Sequence, residues 1–334
     1  MIEFIELKNN LGVEVTLCTL GASIYDIKTK DINGKLESII YTTKDKKDFI
    51  TERSCLGKTI GRTGGRISNS TFTLNGIKYD IPSYDPNGLH GGKDGVGYKE
   101  FDYQKEETSE YIEVTFSYFS KDMESGYPGN LDLKVIYRLY KDINKLVLSY
   151  KGISDKDTLV NLSNHSYFNL SGNAKDSILN HSLFINASKM EKIEKLLPKG
   201  IVDCKEIYSF KKMHKIGDYL KEPEIINNTN GYDFPYIFDE CNKDLFNVVL
   251  KDNESKRVLK IKTTYPTVVI YTCNFTGKEI MNNDRVMTPY YAVCLECMFH
   301  PNTINSDFLL DKKDILRAGM EYNQIIEYYF DIER

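Results

Sequence analysis

The chain has 334 residues, of which 41% are hydrophobic and 28% are charged, with a net charge of −4 at pH 7. This balance is typical of a globular protein, and the interspersed charges leave no basic stripe that would follow a nucleic acid backbone. Acidic residues stand near the N-terminus, where a signal peptide requires basic ones, and no apolar run of about 18 residues predicts a membrane span. The composition therefore predicts a cytoplasmic protein that binds neither nucleic acid nor membrane.

Alternation of apolar and polar residues predicts strands along most of the chain. The clearest runs are residues 112–118, 131–135 and 259–263, in which every second side chain is apolar. Within residues 72–81, Asn75-Gly76 predicts a hairpin, because both residues accept the positive φ of a type I′ turn. Asn33-Gly34 is a second candidate turn of this kind.

Helical periodicity is scarce. The best candidate is residues 210–220, where Met213, Ile216 and Leu220 are spaced by three or four. No linker and no repeat divides the sequence. We therefore predict an all-β fold in which residues 1–334 form a single large domain, an antiparallel β-sandwich.

Two glycine-rich segments carry candidate binding residues. Residues 60–67 hold Arg62 and Arg66 but lack the Gly-Lys-Ser/Thr and the following helix of a phosphate-binding loop. Their guanidinium groups could bind hydroxyls or a carboxylate, or they could be solvated loop charges. In residues 87–92, the glycines beside His90 allow close backbone approach to a ligand, although a turn with a solvent-facing histidine is equally compatible.

His165 is the most informative histidine of the five in the chain, because residues 160–170 surround it with asparagine, serine and tyrosine. Imidazole can give or take a proton near neutral pH, and these neighbours could fix its tautomer and hold a polyhydroxylated ligand. The alternative is an ordinary hydrogen-bonded structural histidine.

Two carboxylates complete the set of candidates. Glu296 interrupts an apolar, strand-like run, where an acid is costly to bury unless it is paired or serves as a base. Asp233 follows a Gly-Tyr turn and could equally bond to its own backbone. Cys294 and Cys297 lie three apart on a predicted strand, so their thiols should point to opposite faces, and we predict no metal site. The odd number of cysteines, seven, indicates free thiols rather than a disulfide framework.

Six motifs occur in a fixed order, at residues 60–67, 87–92, 126–129, 160–172, 231–233 and 294–296. In this order they closely resemble the aldose 1-epimerase (galactose mutarotase) family, over essentially the whole chain. The resemblance implies a large antiparallel β-sandwich with an open cleft on one sheet face. It also implies that free aldohexoses such as galactose and glucose change between α and β anomers without a cofactor or metal, in a protein that is a monomer or a loose homodimer.

The resemblance also implies a role for each candidate residue. Glu296 matches the general base and His165 the general acid of the family, while Arg66, His90 and Asp233 match positions that hold sugar hydroxyls or the ring oxygen. We expect Glu296 to be ionised at pH 7 and its charge to raise the pKa of His165.

The sequence departs from the family pattern in three respects. Gly65 replaces the usual asparagine before Arg66, Phe234-Pro235 follows Gly-Tyr-Asp where a polar residue is common, and tryptophan is absent. We expect these changes at the rim of the cleft and regard the preferred sugar as open. Three rivals also remain at this point: a hexose 6-phosphate epimerase, a glycosidase using Asp233 and Glu296 as its acid pair, and a sugar-binding protein without activity.

Overall fold

The computed structural model describes residues 1–240 and 245–333. Its largest sheet has nine described strands, all paired in antiparallel fashion. In order across the sheet these strands are Asp102–Glu107, Tyr111–Ser120, Leu131–Tyr140, Lys145–Ser154, Glu321–Ile332, Arg257–Thr263, Val248–Lys251, Ser182–Ile185 and His214–Lys215.

A six-stranded sheet and a four-stranded sheet, counted over the same residues, are also antiparallel. The six-stranded sheet has the order Tyr167–Phe168, Val293–Met298, Thr267–Tyr271, Asp233–Ile237, Lys189–Glu194 and Leu197–Asp203. The four-stranded sheet has the order Phe4–Lys8, Glu14–Cys18, Ser23–Lys30 and Leu36–Ser38.

Short strand pairs connect these sheets and shape their edges. They are Thr59–Ile60 with Ser163–Asn164, Arg66–Ile67 with Gly88–Leu89, Thr71–Leu74 with Ile77–Asp80, and Thr158–Leu159 with Ile315–Leu316. The α-helices within the described ranges are Lys46–Thr51 and Pro223–Thr229. Single 3₁₀ turns occur at Ser68–Ser70, Val96–Tyr98, Glu124–Gly126, Ile178–Asn180, Glu206–Tyr208 and Thr303–Asn305. None of the described helices has the length and apolarity needed to cross a bilayer.

The main hydrophobic core lies between the nine-stranded and the six-stranded sheets. One cluster of buried side chains includes Tyr137 and Leu148 from the larger sheet and Ile270 and Leu295 from the smaller one. Strands such as Leu131–Tyr140 and Val293–Met298 contribute every second residue to this cluster, which is the arrangement of a two-layer sandwich. The prediction of a sheet-rich, antiparallel fold is confirmed.

The predicted strands and the predicted hairpin agree with the structure. All three predicted strands lie inside observed ones, and Asn75 and Gly76, with φ of 50° and 78°, connect a tight hairpin. The second candidate turn also joins two paired strands, but residues 31–35 form the connection and Gly34 alone of the Asn-Gly pair has a positive φ.

The predicted helix at residues 210–220 is wrong. His214–Lys215 form an edge strand, and the rest of the segment is irregular. Phe210, Ile216 and Leu220 are buried because an irregular chain meets the core at these points, and this produces a helix-like spacing by coincidence. The helix begins later, at Pro223, whose fixed φ suits the first turn.

Candidate active site

One face of the six-stranded sheet forms the floor of an open cleft of about 460 Å³, within the size range of small-molecule sites. Directly paired residues in neighbouring antiparallel strands share a face, so the pairing register identifies the side chains of the floor. They form two rows, Tyr167, Cys294, Tyr271 and Asp233 in one, and Glu296, Val269 and Pro235 in the other.

The other face of the same strands packs into the core, where Leu295 and Cys297 flank Glu296 along the chain. Alternation along residues 293–298 therefore explains how a glutamate occupies an otherwise apolar run: it faces the cleft while its neighbours face the core. It also confirms the expectation that the thiols of Cys294 and Cys297 point to opposite faces.

His165 follows the short strand Ser163–Asn164 and is held by backbone hydrogen bonds on both sides. Its N–H donates to the carbonyl of Lys58 and its own carbonyl accepts from Gly57 N–H, both at 3.0 Å. Lys58 is itself fixed by a fully buried ion pair with Glu52. The polar residues around His165 therefore belong to a rigid connection that presents the imidazole to the cleft.

The imidazole of His165 lies beside the carboxylate of Glu296. The Nε2 to Oε1 distance is 3.4 Å, and the two side chains are only 6% and 3% exposed. On the opposite edge of the ring, Nδ1 lies 3.5 Å from the sulfur of Cys294. The histidine thus lies between a carboxylate and a thiol that belong to the same strand.

His90 packs edge-on against His165, with 5.1 Å between ring centroids. Its backbone has a φ of 49°, its N–H donates to the carbonyl of Gly65, and its Nδ1 accepts from the N–H of Gly65. Gly91, with a φ of 87°, is required here because a Cβ atom would lie 1.7 Å from the carbonyl oxygen of Gly61. The glycines around His90 therefore serve backbone packing that directs the ring into the cleft.

The side chains of the two arginines in the glycine-rich loop lie in different environments. Arg62 is buried and donates to Ser120, Thr158 and backbone carbonyls, so it is structural rather than a solvated loop charge. Arg66 lines the cleft, and its Nε atom lies 3.8 Å from a carboxylate oxygen of Asp85. Asp233 begins the strand Asp233–Ile237 and also faces the cleft.

Burial and mutual charge shift the acid–base properties of this site. Burial raises the pKa of Asp233 to about 6, against the opposing charge of Arg66. Burial, followed by the charge of Asp233, raises the pKa of Glu296 well above its usual range, again against Arg66. Burial also lowers the pKa of His165 to about 4, so the expected upward shift is wrong, because desolvation disfavours the charged imidazolium.

Three of these side chains are close enough to hold a metal ion, since ligand atoms of His90, His165 and Glu296 lie within 4.8 Å of one another. The hydrogen bonding of His90 opposes that use. Because Gly65 N–H donates to Nδ1, the neutral ring carries its proton on Nε2, and a protonated Nε2 donates a hydrogen bond instead of binding a metal. His90 is therefore suited to a hydroxyl or ether oxygen.

The structure brings all five predicted site residues, Glu296, His165, Arg66, His90 and Asp233, to one cleft. The sequence model of the aldose 1-epimerase family matches this chain over residues 3–329. The chain belongs to the aldose 1-epimerase family.

The similarity to relatives and to solved structures covers nearly the full length of the chain. The chain is 30% identical to the galactose mutarotase of Sus scrofa over 96% of this chain and 92% of that one. It is 28% identical to the aldose 1-epimerase of Escherichia coli K12 over 98% and 94% of the two chains. The crystal structure of a GalM/aldose epimerase homologue from C. elegans superposes with a TM-score of 0.90 at 26% identity and covers 100% of both chains.

As a member of this family, the protein is an isomerase that acts on a sugar. The structure accounts for its departures from the family pattern. Gly65 has a φ of 72° and holds His90 through both of its backbone polar groups, so the missing asparagine side chain leaves that support intact. Pro235 lines the cleft as expected, but Phe234 faces the core and is not part of the rim.

Several residues that line the cleft of this aldose 1-epimerase were not predicted from the sequence. Tyr167 and Tyr271 flank His165, with ring centroids 5.1 and 6.2 Å from it, and Cys294 touches its Nδ1. Period-two alternation from Glu296 would have placed Cys294 on the same face. Tyr127, in the motif at residues 126–129, is fully buried and bonds to Thr63 at 2.6 Å, so it has a structural role outside the cleft. Of the seven cysteines, six are free thiols, and Cys241 lies outside the described residues.

Proposed function

We propose that this aldose 1-epimerase interconverts the α and β anomers of free aldohexoses such as galactose and glucose, with Glu296 as base and His165 as acid. The observation that carries the proposal is the 3.4 Å approach of His165 Nε2 to Glu296 Oε1 inside an open cleft. The anomeric O1 and the ring oxygen are bonded to the same carbon, so two adjacent proton-transfer groups can each reach one of them. For direct proton transfer, each of these groups must come within about 2.6–3.2 Å of the sugar oxygen that it serves.

In the proposed reaction, the Glu296 carboxylate takes the proton from O1 while the His165 imidazolium gives its proton to the ring oxygen. The bond between C1 and the ring oxygen breaks, and the C1–O1 carbonyl forms. Rotation about C1–C2 then presents the other carbonyl face. Reclosure reverses both transfers, so His165 recovers the proton of the attacking hydroxyl and Glu296 returns one to O1.

The electrostatics of the cleft suit this cycle because Glu296 and His165 share one proton throughout. Ring opening starts from a carboxylate and an imidazolium, and it ends with a carboxylic acid and a neutral imidazole. The raised pKa of Glu296 and the lowered pKa of His165 favour the second distribution. The site therefore favours the protonation state of the open-chain intermediate.

We assign the other three predicted residues to substrate binding. His90 donates from Nε2, Arg66 supplies a guanidinium whose buried Nε makes an ion pair with Asp85 but no hydrogen bond to a described residue, and Asp233 accepts from sugar hydroxyls. His90→Asn and Arg66→Ala should therefore raise KM more than they lower kcat, since neither residue transfers a proton.

Polarimetry of freshly dissolved α-D-galactose and α-D-glucose tests the function directly. We expect the protein to accelerate the approach to anomeric equilibrium above the spontaneous rate, and His165→Asn to abolish most of that acceleration. His214→Asn, which changes a histidine outside the cleft, should keep it. Absence of any acceleration by the folded wild-type protein would refute the proposal.

The rival substrate, a hexose 6-phosphate, has one specific observation in its favour. Arg53 and Lys93 line the cleft, and Arg53 donates to the carbonyl of Lys93 at 3.5 Å, so positive charge is available near the rim. Rates on glucose and glucose 6-phosphate measured side by side decide between them, and we expect the free sugar to react faster. Release of reducing sugar from a disaccharide would instead indicate a glycosidase, and binding without rate enhancement a silent sugar-binding protein.

We further propose that residues 1–334 form one domain, which is supported by a core cluster that contains residues from Ile5 to Phe330. The composition supports a cytoplasmic location and the absence of nucleic acid or membrane partners. Size-exclusion chromatography with light scattering tests the expected monomer or loose homodimer.

A further inference from the structure

The thiol of Cys294 is the polar group behind the proposed acid. It lies two residues before Glu296 on the same strand face, is fully buried, and places its sulfur 3.5 Å from His165 Nδ1. The imidazole therefore presents Nε2 to Glu296 and Nδ1 to Cys294. The other groups that face this ring are the side chains of His90, Tyr167 and Tyr271, which contact it through their rings.

Sulfur chemistry makes this contact compatible with both protonation states of the histidine. Burial raises the pKa of Cys294 well above its usual range, so the group stays a thiol at neutral pH. A thiol is a weak donor and a weak acceptor. Its sulfur can accept Nδ1–H when the ring is an imidazolium and also after Nε2 has given up its proton, because that transfer leaves Nδ1–H in place.

The same contact determines which nitrogen carries the mobile proton. With Nδ1–H directed to the sulfur, the hydrogen that moves is the one on Nε2, which is the atom that faces Glu296. A carboxylate in the place of the thiol would accept Nδ1–H more strongly and stabilise the imidazolium, which would oppose the transfer. The weak, reversible partner leaves the proton of the pair free to move.

We propose that Cys294 is a positioning residue of the mutarotase reaction, whose thiol fixes the tautomer and the ring orientation of His165 in both halves of the cycle. This inference rests on the proposed role of His165 as the acid. Cys294 itself touches neither O1 nor the ring oxygen, so its effect should fall on kcat and leave KM nearly unchanged.

The test compares Cys294→Ala and Cys294→Ser with Cys297→Ala as the matched control. Cys297 lies on the same strand, is equally buried, and faces the core, so its truncation removes the same volume without touching a histidine. Loss of a residue that orients a functional group typically costs about 10- to 100-fold. We expect that loss of kcat in Cys294→Ala, substantial recovery in Cys294→Ser, and a kcat near that of the wild type in Cys297→Ala.

A second measurement reads the tautomer itself. Long-range ¹H–¹⁵N NMR spectra of ¹⁵N-histidine-labelled protein should show neutral His165 with its proton on Nδ1 in the wild type and in Cys294→Ser. Cys294→Ala should show a mixture of tautomers and an altered titration of this ring. An unchanged tautomer and titration in Cys294→Ala would overturn the inference, and so would an equal loss of kcat in Cys297→Ala. Because the spectra require no catalysis, they test the thiol contact even if the proposed activity is absent.

Discussion

Replacement of Glu296 by glutamine separates the chemistry of this site from its stability. Glutamine has nearly the same shape, so the cleft floor keeps its packing, but an amide cannot accept the O1 proton. Loss of one general acid–base group is typically worth about 10²- to 10⁴-fold in rate. At about 1.36 kcal/mol for each factor of ten, the barrier should rise by about 2.7–5.4 kcal/mol.

The fold should not suffer from this change. Glu296 is 3% exposed, and both burial and the charge of Asp233 disfavour its ionised form. A folded-state pKa above that of the unfolded chain means that this group contributes stability at low pH, which is lost as the pH rises through the folded-state value. Glutamine removes that alkaline cost, so we expect the Glu296→Gln variant to be as stable as the wild type or more stable as the pH rises.

The assay is polarimetry of α-D-galactose at several enzyme concentrations, with the spontaneous rate subtracted, alongside thermal unfolding of the same samples. Glu113→Gln is the control, because Glu113 lies on the nine-stranded sheet, where it pairs with Arg138. A near wild-type rate in Glu296→Gln would refute the assignment of the base. A rate loss accompanied by an equal loss of folded protein would refute the separation of activity from stability.

Three other perturbations test the electrostatics and the backbone of the site. Because the pKa of Asp233 is raised to about 6, KM should rise as the pH falls through that value. Asp233→Asn should show a higher KM that does not depend on pH in this range. The same pH dependence in the variant would contradict the role of Asp233 as a sugar-binding carboxylate. Because the pKa of His165 is lowered to about 4, the stability that this residue contributes above about pH 6.5 is lost as the pH falls toward 4. Urea unfolding should therefore show about 3 kcal/mol more acid destabilisation in the wild type than in His165→Asn. Parallel losses of stability in the two proteins would argue against burial as the cause of the shift. Gly91→Ala should lower both Tm and activity more than Gly34→Ala. Both positions have a positive φ, but only an alanine at position 91 would place its Cβ against the carbonyl of Gly61. Similar losses in the two variants would show that the strain of a positive φ alone accounts for the effect.

Strands and turns that depend on neighbouring residues could be predicted from the sequence alone. Period-two alternation predicted the strands at residues 112–118 and 131–135, and Asn75-Gly76 predicted its hairpin, because side-chain direction in a strand and φ preference in a turn are local properties. The order of six motifs identified the family. The same local reasoning failed at residues 210–220, where a three- or four-residue spacing came from an irregular chain that meets the core, not from a helix.

Tertiary structure alone decided what each polar residue does. Arg62 and Arg66 lie in one loop, yet partners from distant segments, Ser120 and Thr158, bury the first while the second faces the cleft. Proximity to a carboxylate suggested a raised pKa for His165, but burial lowers it, because desolvation depends on every segment packed around the ring. The sequence by itself determined the residue types and the local backbone. Folding decided which of them share one cleft and which protonation states they hold there, since distance and burial are properties of the whole chain.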